Sequence, residues 1–144
     1  MKDKKRFQLF LVDDDALFLK SLQIDFFQFT DYNIKTFATG ELCLEYLSDK
    51  PDMIILDYEL DGINKQAMNG IQTLDKIKSF NADIPVVMLS SQDKIEVAID
   101  CMHHRAFDYV VKSETAFMHL QKKISRLFRF KKIEQDLSWY MERM

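Results

Sequence analysis

Cysteine, proline and glycine are all scarce in this chain. Its 144 residues include two cysteines, two prolines and three glycines. Two cysteines, Cys43 and Cys101, are too few for a disulfide framework, and their place in apparent helices indicates buried, reduced thiols. Because no linker rich in proline, glycine or serine divides the chain, its length predicts one compact domain of ordinary size.

Long apolar runs and a strong excess of one charge are also missing. Acidic residues interrupt the apolar run near the N-terminus after a few positions, so we expect neither a signal peptide nor a membrane span there. The formal net charge of -3 gives no support for a nucleic-acid surface. Hydrophobic residues still make up 47% of the chain, which is enough for a packed core. We therefore expect a cytoplasmic protein.

Five short apolar segments predict five β-strands, at residues 7–12, 32–37, 53–56, 85–89 and 107–111. The third and fourth are apolar throughout, which is typical of strands covered on both faces in a parallel sheet. Helical spacing between the segments indicates an α/β fold with right-handed crossovers. The helical stripes comprise Leu19, Leu22, Phe26 and Phe29, then Ile71, Leu74 and Ile77, then Ile95, Ala98 and Met102.

Polar residues follow four of the five predicted strands. In chain order they are Asp13, Asp14 and Asp15 after the first strand, Asp57 after the third, Ser90 and Ser91 after the fourth, and Lys112 after the fifth. In such folds, ligands gather beyond the carboxyl ends of the strands. We therefore expect these polar side chains to meet at one edge of the sheet.

The residue types at this edge point to magnesium and phosphate chemistry. Asp13, Asp14 and Asp57 would suit Mg²⁺, which prefers oxygen ligands. A carboxylate can also act as a nucleophile toward phosphorus, while Lys112 and the hydroxyl of Ser90 could bind phosphoryl oxygens. The metal ion and Lys112 would offset the repulsion between neighbouring aspartates. Asp15, directly before the first helix, is interpreted as a helix N-cap.

Four segments carry a family resemblance, namely LVDDDAL, PDMIILDYEL, IPVVMLSSQD and FDYVVKS. In this order and spacing, from residue 7 to about residue 127, the chain resembles the receiver domain of response regulators in two-component signalling. The resemblance implies a flavodoxin-like (βα)5 three-layer sandwich with parallel strand order 2-1-3-4-5. It also implies a signalling phosphoacceptor rather than an enzyme with its own substrate.

The resemblance assigns a role to each residue of the predicted site. Asp57 would receive a phosphoryl group from a sensor histidine kinase or a phosphotransfer protein. Asp13 and Asp14, together with Asp57 and the backbone carbonyl of Glu59, would hold Mg²⁺. Lys112 would contact Asp57 and then the phosphoryl group.

Two further residues are implied as switch residues. Ser90 would move to bind the phosphoryl group, and the ring of Tyr109 would fill the space that Ser90 leaves. The face built by the fourth helix, fifth strand and fifth helix would then rearrange to control an output or a partner. Glu59 and Ser91 stand where the family tunes the loss of phosphate.

The chain departs from the family pattern in two places. The loop at residues 58–69 is longer than usual and has Leu60 and Asp61 where Met-Pro is common. It predicts either a mobile lid beside the site or slack without function. Lys112 is followed by Ser113 instead of the usual proline with a cis bond, so we expect a trans bond there or a locally altered approach of Lys112.

The C-terminal segment continues beyond the part needed for a receiver. We divide the chain into a receiver domain at residues 1–128 and a helical extension at residues 129–144. The extension carries a coiled-coil-like stripe of Phe130, Ile133, Leu137, Tyr140 and Met144. An exposed stripe calls for a partner, and we expect a homodimer through the fifth helix and its extension. Folding back on the domain or docking another domain are the alternatives.

Three other classes of protein were weighed against the receiver. A haloacid-dehalogenase-like phosphatase uses an Asp-x-Asp motif, which Asp13 and Asp15 provide, but Leu17 does not fit and Asp57 would have no role. A flavin-binding module would need a phosphate loop after the first strand, and that loop is missing. A receiver that binds partners without phosphorylation is the remaining alternative.

Overall fold

The five apolar segments form the predicted parallel sheet. The computed structural model describes residues 5–144, and each strand bound lies within one residue of its predicted place. The strands are β1 (Gln8–Val12), β2 (Asn33–Phe37), β3 (Met53–Asp57), β4 (Val86–Ser90) and β5 (Asp108–Val111). All neighbouring pairs are parallel, in the order β2-β1-β3-β4-β5.

Helices cover both faces of this sheet. They are α1 (Ala16–Phe29), α2 (Gly40–Glu45), α3 (Gly70–Phe80), α4 (Ile95–His103) and α5 (Ala116–Glu142). Because side chains alternate along a strand, Phe10 joins the cluster under α2, α3 and α4, whereas Leu11 joins the cluster under α1 and α5. The result is the three-layer sandwich expected from the sequence.

The strand register brings the polar strand ends to one edge of the sheet. Val12 pairs with Leu56, so that Asp13 and Asp57 follow side by side. Asp57 in turn pairs with Leu89, directly before Ser90, and Ser90 pairs with Val111, directly before Lys112. The sheet therefore delivers all four groups to the same end of neighbouring strands.

The two cysteines are buried free thiols, as predicted. Cys43 lies in α2 and Cys101 in α4, and both are fully buried. Burial raises the pKa of Cys43 to about 12, which keeps the thiol protonated and unreactive. Among the helices of residues 5–144, none combines the length and apolar character that a bilayer-spanning segment requires.

The apolar stripe predicted for α4 does not face the core. Val97 and Cys101 are the buried residues of this helix, while Ile95 and Met102 are 71% and 46% exposed. Ile95 with Met102 and Val97 with Cys101 both follow helical spacing, but Val97 and Cys101 are the residues that pack on the sheet. The predicted stripe instead forms, with Ile99, an apolar surface beside β5.

One unbroken helix runs through the predicted end of the receiver. The first half of α5 packs on the sheet through Leu120, Ile124 and Leu127, which are at most 3% exposed. From Phe128 onward every residue is exposed, including the whole predicted stripe of the extension. The change from buried to exposed falls after Leu127, and the helix has no break there. The division into two parts stays a prediction.

Candidate functional site

Three carboxylates lie together at the carboxyl edge of the sheet. Asp13 directly follows β1, and Asp57 is the last residue of β3. Each of Asp13, Asp14 and Asp57 offers an oxygen that lies within 4.8 Å of the others. Asp13 and Asp57 are buried, while Asp14 is partly exposed, so the cluster opens to solvent on one side.

Lys112 supplies the positive charge of this cluster. Its Nζ lies 2.9 Å from Asp13 Oδ2 and 3.3 Å from Asp57 Oδ1. Burial alone would lower the pKa of Lys112, but the two carboxylates raise it above its ordinary value, so the amine is charged. Its Nζ also lies 5.1 Å from the ring centre of Phe18, within the range of a cation–π contact.

One cation does not neutralise three carboxylates. The pKa of Asp57 is raised to about 8, first by burial and then by the charge of Asp13, although Lys112 acts in the opposite direction. Ionised Asp57 would therefore lie in a buried place beside the negative charge of Asp13, which Lys112 only partly offsets. A further cation would lower the free energy of this cluster.

The donor set of the cluster fits a hard divalent cation. Asp13 Oδ2 contacts Lys112 at angles that are not those of a hydrogen bond. In the part of the chain that the structure describes, it is the one buried side-chain oxygen without a hydrogen bond. With oxygens of Asp14 and Asp57 beside it, the cluster meets the preference of Mg²⁺ for two or three carboxylates and bound waters.

The backbone after Asp57 is held in place by a glycine contact. A Cβ atom on Gly70, the first residue of α3, would lie 2.4 Å from the carbonyl oxygen of Asp57 and 2.6 Å from Tyr58 Cα. Only glycine permits this close approach, because both neighbouring atoms belong to the backbone. Asn69 caps α3 in a reciprocal capping box with Gln72, which fixes where the helix begins.

Glu59 joins the acidic cluster to the end of β4. Its backbone N–H donates to Asp57 Oδ1 at 3.1 Å. Its side chain accepts hydrogen bonds from two hydroxyls, that of Ser90 at 2.7 Å and that of Ser91 at 3.2 Å. Its carbonyl, the predicted fourth protein ligand, accepts from Gly62 N–H at 3.2 Å.

Ser90 and Tyr109 are linked through Gln92. The Ser90 hydroxyl, fully buried, accepts from the backbone N–H of Gln92 at 3.0 Å. The Tyr109 hydroxyl donates to the carbonyl oxygen of the same residue. Tyr109 is half-buried on β5.

The lengthened loop at residues 58–69 is attached to the site. The N–H of Ile63 donates to Asp14 Oδ2 at 3.2 Å, while the Ile63 side chain is 77% exposed. Leu60 is buried in the core, and the N–H of Met68 donates to Glu41 Oε2. The lid interpretation of this loop stays a prediction, but the loop does contact a predicted metal ligand.

The structure therefore brings Asp13, Asp14, Asp57 and Lys112 into one cluster, with Ser90 bridged to it by Glu59. Asp15 caps α1, accepting from the N–H groups of Leu17 and Phe18 at 3.1 Å. The described residues contain no cis peptide bond, so the bond after Lys112 is trans, as expected.

Four contacts of the site were not predicted from the sequence. They are the two hydroxyl contacts of the Glu59 side chain, the Ile63 N–H at Asp14, and the Phe18 ring beside Lys112. Glu59 and Ile63 lie in an irregular loop, where no periodicity fixes the direction of a side chain. Phe18 follows the N-cap Asp15 by three residues, which was a usable signal for its position at the first turn of α1.

Comparison with known proteins shows the family of the chain. Residues 9–125 match the response regulator receiver domain, and the chain belongs to this family. The chain is 35% identical over 113 residues to the protein-glutamate methylesterase/protein-glutamine glutaminase of Clostridium acetobutylicum. That match covers 74% of this chain but 31% of the relative, so the chain spans less than a third of the relative's length.

Solved receiver structures share the fold. The CheY-like receiver domain protein of Methanospirillum hungatei has a TM-score of 0.76 at 20% identity, over 90% of this chain and 99% of that chain. A chain of the CheX–CheY–BeF3–Mg²⁺ complex of Borrelia burgdorferi has a TM-score of 0.72 at 25% identity, over 85% of this chain and 89% of its own. The protein is thus a receiver of the kind used in two-component signalling.

Proposed function

We propose that Asp57 accepts a phosphoryl group from a sensor histidine kinase or a phosphotransfer protein. The observation that carries this proposal is the cluster of three carboxylates within 4.8 Å with Lys112 at 3.3 Å from Asp57. The Borrelia burgdorferi complex, which contains BeF3 and Mg²⁺, adds support from a structure of the same fold.

The chemistry is a phosphoryl transfer between two side chains. A carboxylate oxygen of Asp57 forms the new bond to phosphorus, and the P–N bond of the donor phosphohistidine breaks. The imidazole of the donor leaves with the electron pair of that bond and takes up a proton. Lys112 is placed to bind a transferred phosphoryl oxygen, because its Nζ already lies between Asp13 and Asp57.

Asp13, Asp14 and Asp57 would hold Mg²⁺, with the carbonyl of Glu59 as a further ligand. The ion supplies positive charge that offsets the repulsion between these carboxylates and the incoming phosphoryl group. Asp13 Oδ2 is buried and makes no hydrogen bond, which supports a role of Asp13 as a ligand. Asp14 is partly oriented already by the N–H of Ile63.

Phosphorylation then changes the face built by α4, β5 and α5. A phosphoryl group adds about -1.5 to -2 charges beside Ser90. Ser90 is the one hydroxyl residue of β4. Its hydroxyl and that of Tyr109 both form hydrogen bonds with the backbone of Gln92, which would couple the movements of the two side chains. The exposed apolar surface of Ile95, Ile99 and Met102 belongs to the same face and offers contact area for an output or a partner.

The proposal describes a signalling phosphoacceptor in the cytoplasm, with no substrate other than its phosphoryl donors. The relative from Clostridium acetobutylicum is named as a methylesterase, but this chain spans 31% of it.

The first test is the intact mass of the protein after incubation with acetyl phosphate and Mg²⁺. The parent should gain one phosphoryl group, and chelation of Mg²⁺ should prevent the gain. An Asp57→Ala variant, treated in parallel, should gain nothing. A parent that stays at its original mass would contradict the proposal and would favour a receiver that binds partners without phosphorylation.

We also propose that the extension at residues 129–144 pairs with a second copy in parallel. Phe130, Ile133, Leu137 and Tyr140 occupy alternating a and d positions of a heptad repeat, and all are more than half exposed. In this register Arg129 is a g residue and Glu134 is the following e residue. A parallel pair therefore places each Arg129 beside Glu134 of the second copy.

The orientation can be tested by exchanging these charges. Arg129→Glu should weaken association in sedimentation equilibrium, because it sets two acidic residues opposite each other. The double variant Arg129→Glu/Glu134→Arg should restore association. An antiparallel pair would bring Glu134 near Glu134 of the second copy, so the double variant would not rescue it.

A further inference from the structure

We propose that the Glu59 side chain holds the Ser90 hydroxyl in the resting state by accepting the one hydrogen bond that this hydroxyl can donate. Glu59 would thereby oppose binding of a phosphoryl group at Asp57. The inference rests on the proposed phosphoacceptor function. It concerns a contact of the side chain of Glu59, which is separate from the carbonyl of this residue at the metal site.

The hydroxyl of Ser90 has one proton to donate. That proton is directed to Glu59 Oε1 at 2.7 Å, and the oxygen of the hydroxyl accepts from Gln92 N–H at 3.0 Å. An ionised carboxylate can only accept, so the direction of the contact is fixed by chemistry. Ser90 is fully buried, while Glu59 is partly exposed.

A phosphoryl group on Asp57 needs hydrogen-bond donors. Its oxygens carry negative charge and act as acceptors, as the oxygens of Glu59 do. The proton of Ser90 can therefore serve Glu59 or the phosphoryl group, but not both. The Ser90 hydroxyl donates to Glu59 in the resting state and would donate to the phosphoryl group in the phosphorylated state. Glu59 and the phosphoryl group therefore compete for this donor.

Glu59 is suited to this role by its second contact and its backbone. Its other carboxylate oxygen accepts from Ser91 at 3.2 Å, which fixes the side chain across the end of β4. Its backbone N–H donates to Asp57 Oδ1 at 3.1 Å, so the residue that carries this carboxylate is joined directly to the phosphoacceptor. One residue thus contacts both the acceptor and the switch hydroxyl.

The experiment measures the affinity for beryllofluoride, which stands in for the phosphoryl group, at saturating Mg²⁺ by isothermal titration calorimetry. Glu59→Met removes both hydrogen bonds and nearly keeps the length of the side chain. We expect it to bind beryllofluoride about tenfold more tightly, the value of one charge-assisted hydrogen bond. Glu59→Gln removes the charge but keeps an acceptor, so its gain should be smaller.

A double-mutant cycle distinguishes competition for the Ser90 hydrogen bond from a direct effect of the negative charge of Glu59. In a Ser90→Ala background, Glu59→Met should give no gain in affinity, because there is no hydroxyl left to release. A gain that persists in this background would show that the negative charge of Glu59 acts directly, and would overturn the proposal. Equal gains from Glu59→Met and Glu59→Gln would overturn it as well.

A purely structural role predicts a different result. Loss of two hydrogen bonds should lower the free energy of unfolding of Glu59→Met, and a structural residue would lower the affinity with it. The proposal expects the two quantities to change in opposite directions. If the parent protein itself fails to bind beryllofluoride, the proposed phosphoacceptor function is wrong; if the parent binds and Glu59→Met binds no better, only the role of Glu59 is wrong.

Discussion

The carboxyl edge of the sheet lacks positive charge, whereas the second half of α5 lacks a partner for its apolar side chains. The edge holds three carboxylates, those of Asp13, Asp14 and Asp57, against the single ammonium group of Lys112. The extension exposes apolar side chains such as Ile133 and Leu137 that would gain from burial. Buried charge calls for an ion or a phosphoryl group, and exposed apolar surface calls for another protein. Each region therefore indicates the chemistry of what it binds.

The comparison predicts that variants of the edge change chemistry and stability together, whereas variants of the extension change association alone. The largest effect is expected for Lys112→Met. Without the amine, the phosphoryl oxygens lose a charged donor, and the rate of phosphorylation by acetyl phosphate should fall by about 10²–10³-fold. The rate follows from intact mass against time. A variant that reacts as fast as the parent would remove Lys112 from the chemistry.

Gly70→Ala should come next in size. The added Cβ would lie 2.4 Å from the Asp57 carbonyl, so either α3 or the end of β3 must shift. We expect a loss of about 1–3 kcal/mol in the free energy of unfolding, measured with urea. Gly62→Ala is a matched control, because a Cβ there meets its neighbours at 3.3 Å or more in a partly open loop. Equal losses for the two variants would contradict the close-approach argument.

Asp57→Asn should stabilise the protein in the absence of metal. The pKa of Asp57 is raised by burial and by Asp13 to about 8, so the folded state binds a proton that the unfolded state releases above about pH 4. The free energy of unfolding of the parent should therefore fall as the pH rises from about 4 to 8. The variant should exceed the parent by more than about 1 kcal/mol at pH 8 and by less at pH 5.

Added Mg²⁺ provides the control for this pH series. The ion favours the charged form of Asp57, so it should reduce the advantage of Asp57→Asn at pH 8. If the advantage is the same at pH 5 and pH 8, charge repulsion is not its cause.

The smallest effect on folding is expected in the extension. Replacing Ile133 and Leu137 by Asp should change the free energy of unfolding of the receiver by less than about 0.5 kcal/mol, since both side chains are exposed. The same variant should sediment as a monomer. Leu120→Ala in the buried half of the same helix is the contrast, with an expected loss of about 2–5 kcal/mol.

The sequence predicted what depends on regular periods. Strands with apolar side chains on both faces are recognisable, and a parallel register brings their ends together, so Asp13, Asp57 and Lys112 could be assigned to one edge. The apolar stripe beyond residue 129 has helical spacing, and α5 runs to Glu142.

The prediction from sequence was wrong where two faces of one helix have the same apolar spacing. In α4 both Ile95 with Met102 and Val97 with Cys101 follow helical spacing, and only packing on the sheet decides between them. In the loop at residues 58–69 there is no period at all. The direction of the Glu59 side chain and the contact of Ile63 with Asp14 depend on backbone turns that local sequence does not determine.

The unbroken course of α5 makes its exposed half a lever. About 15 residues beyond Leu127 extend some 22 Å at the rise of an α-helix, while the buried half is fixed to the sheet beside β5. A tilt of about 5° at the sheet would then displace the tip by about 2 Å, by the same geometry. A rearrangement too small to see at the phosphoacceptor would thus arrive at the end of the helix as a movement of the size of a side-chain contact.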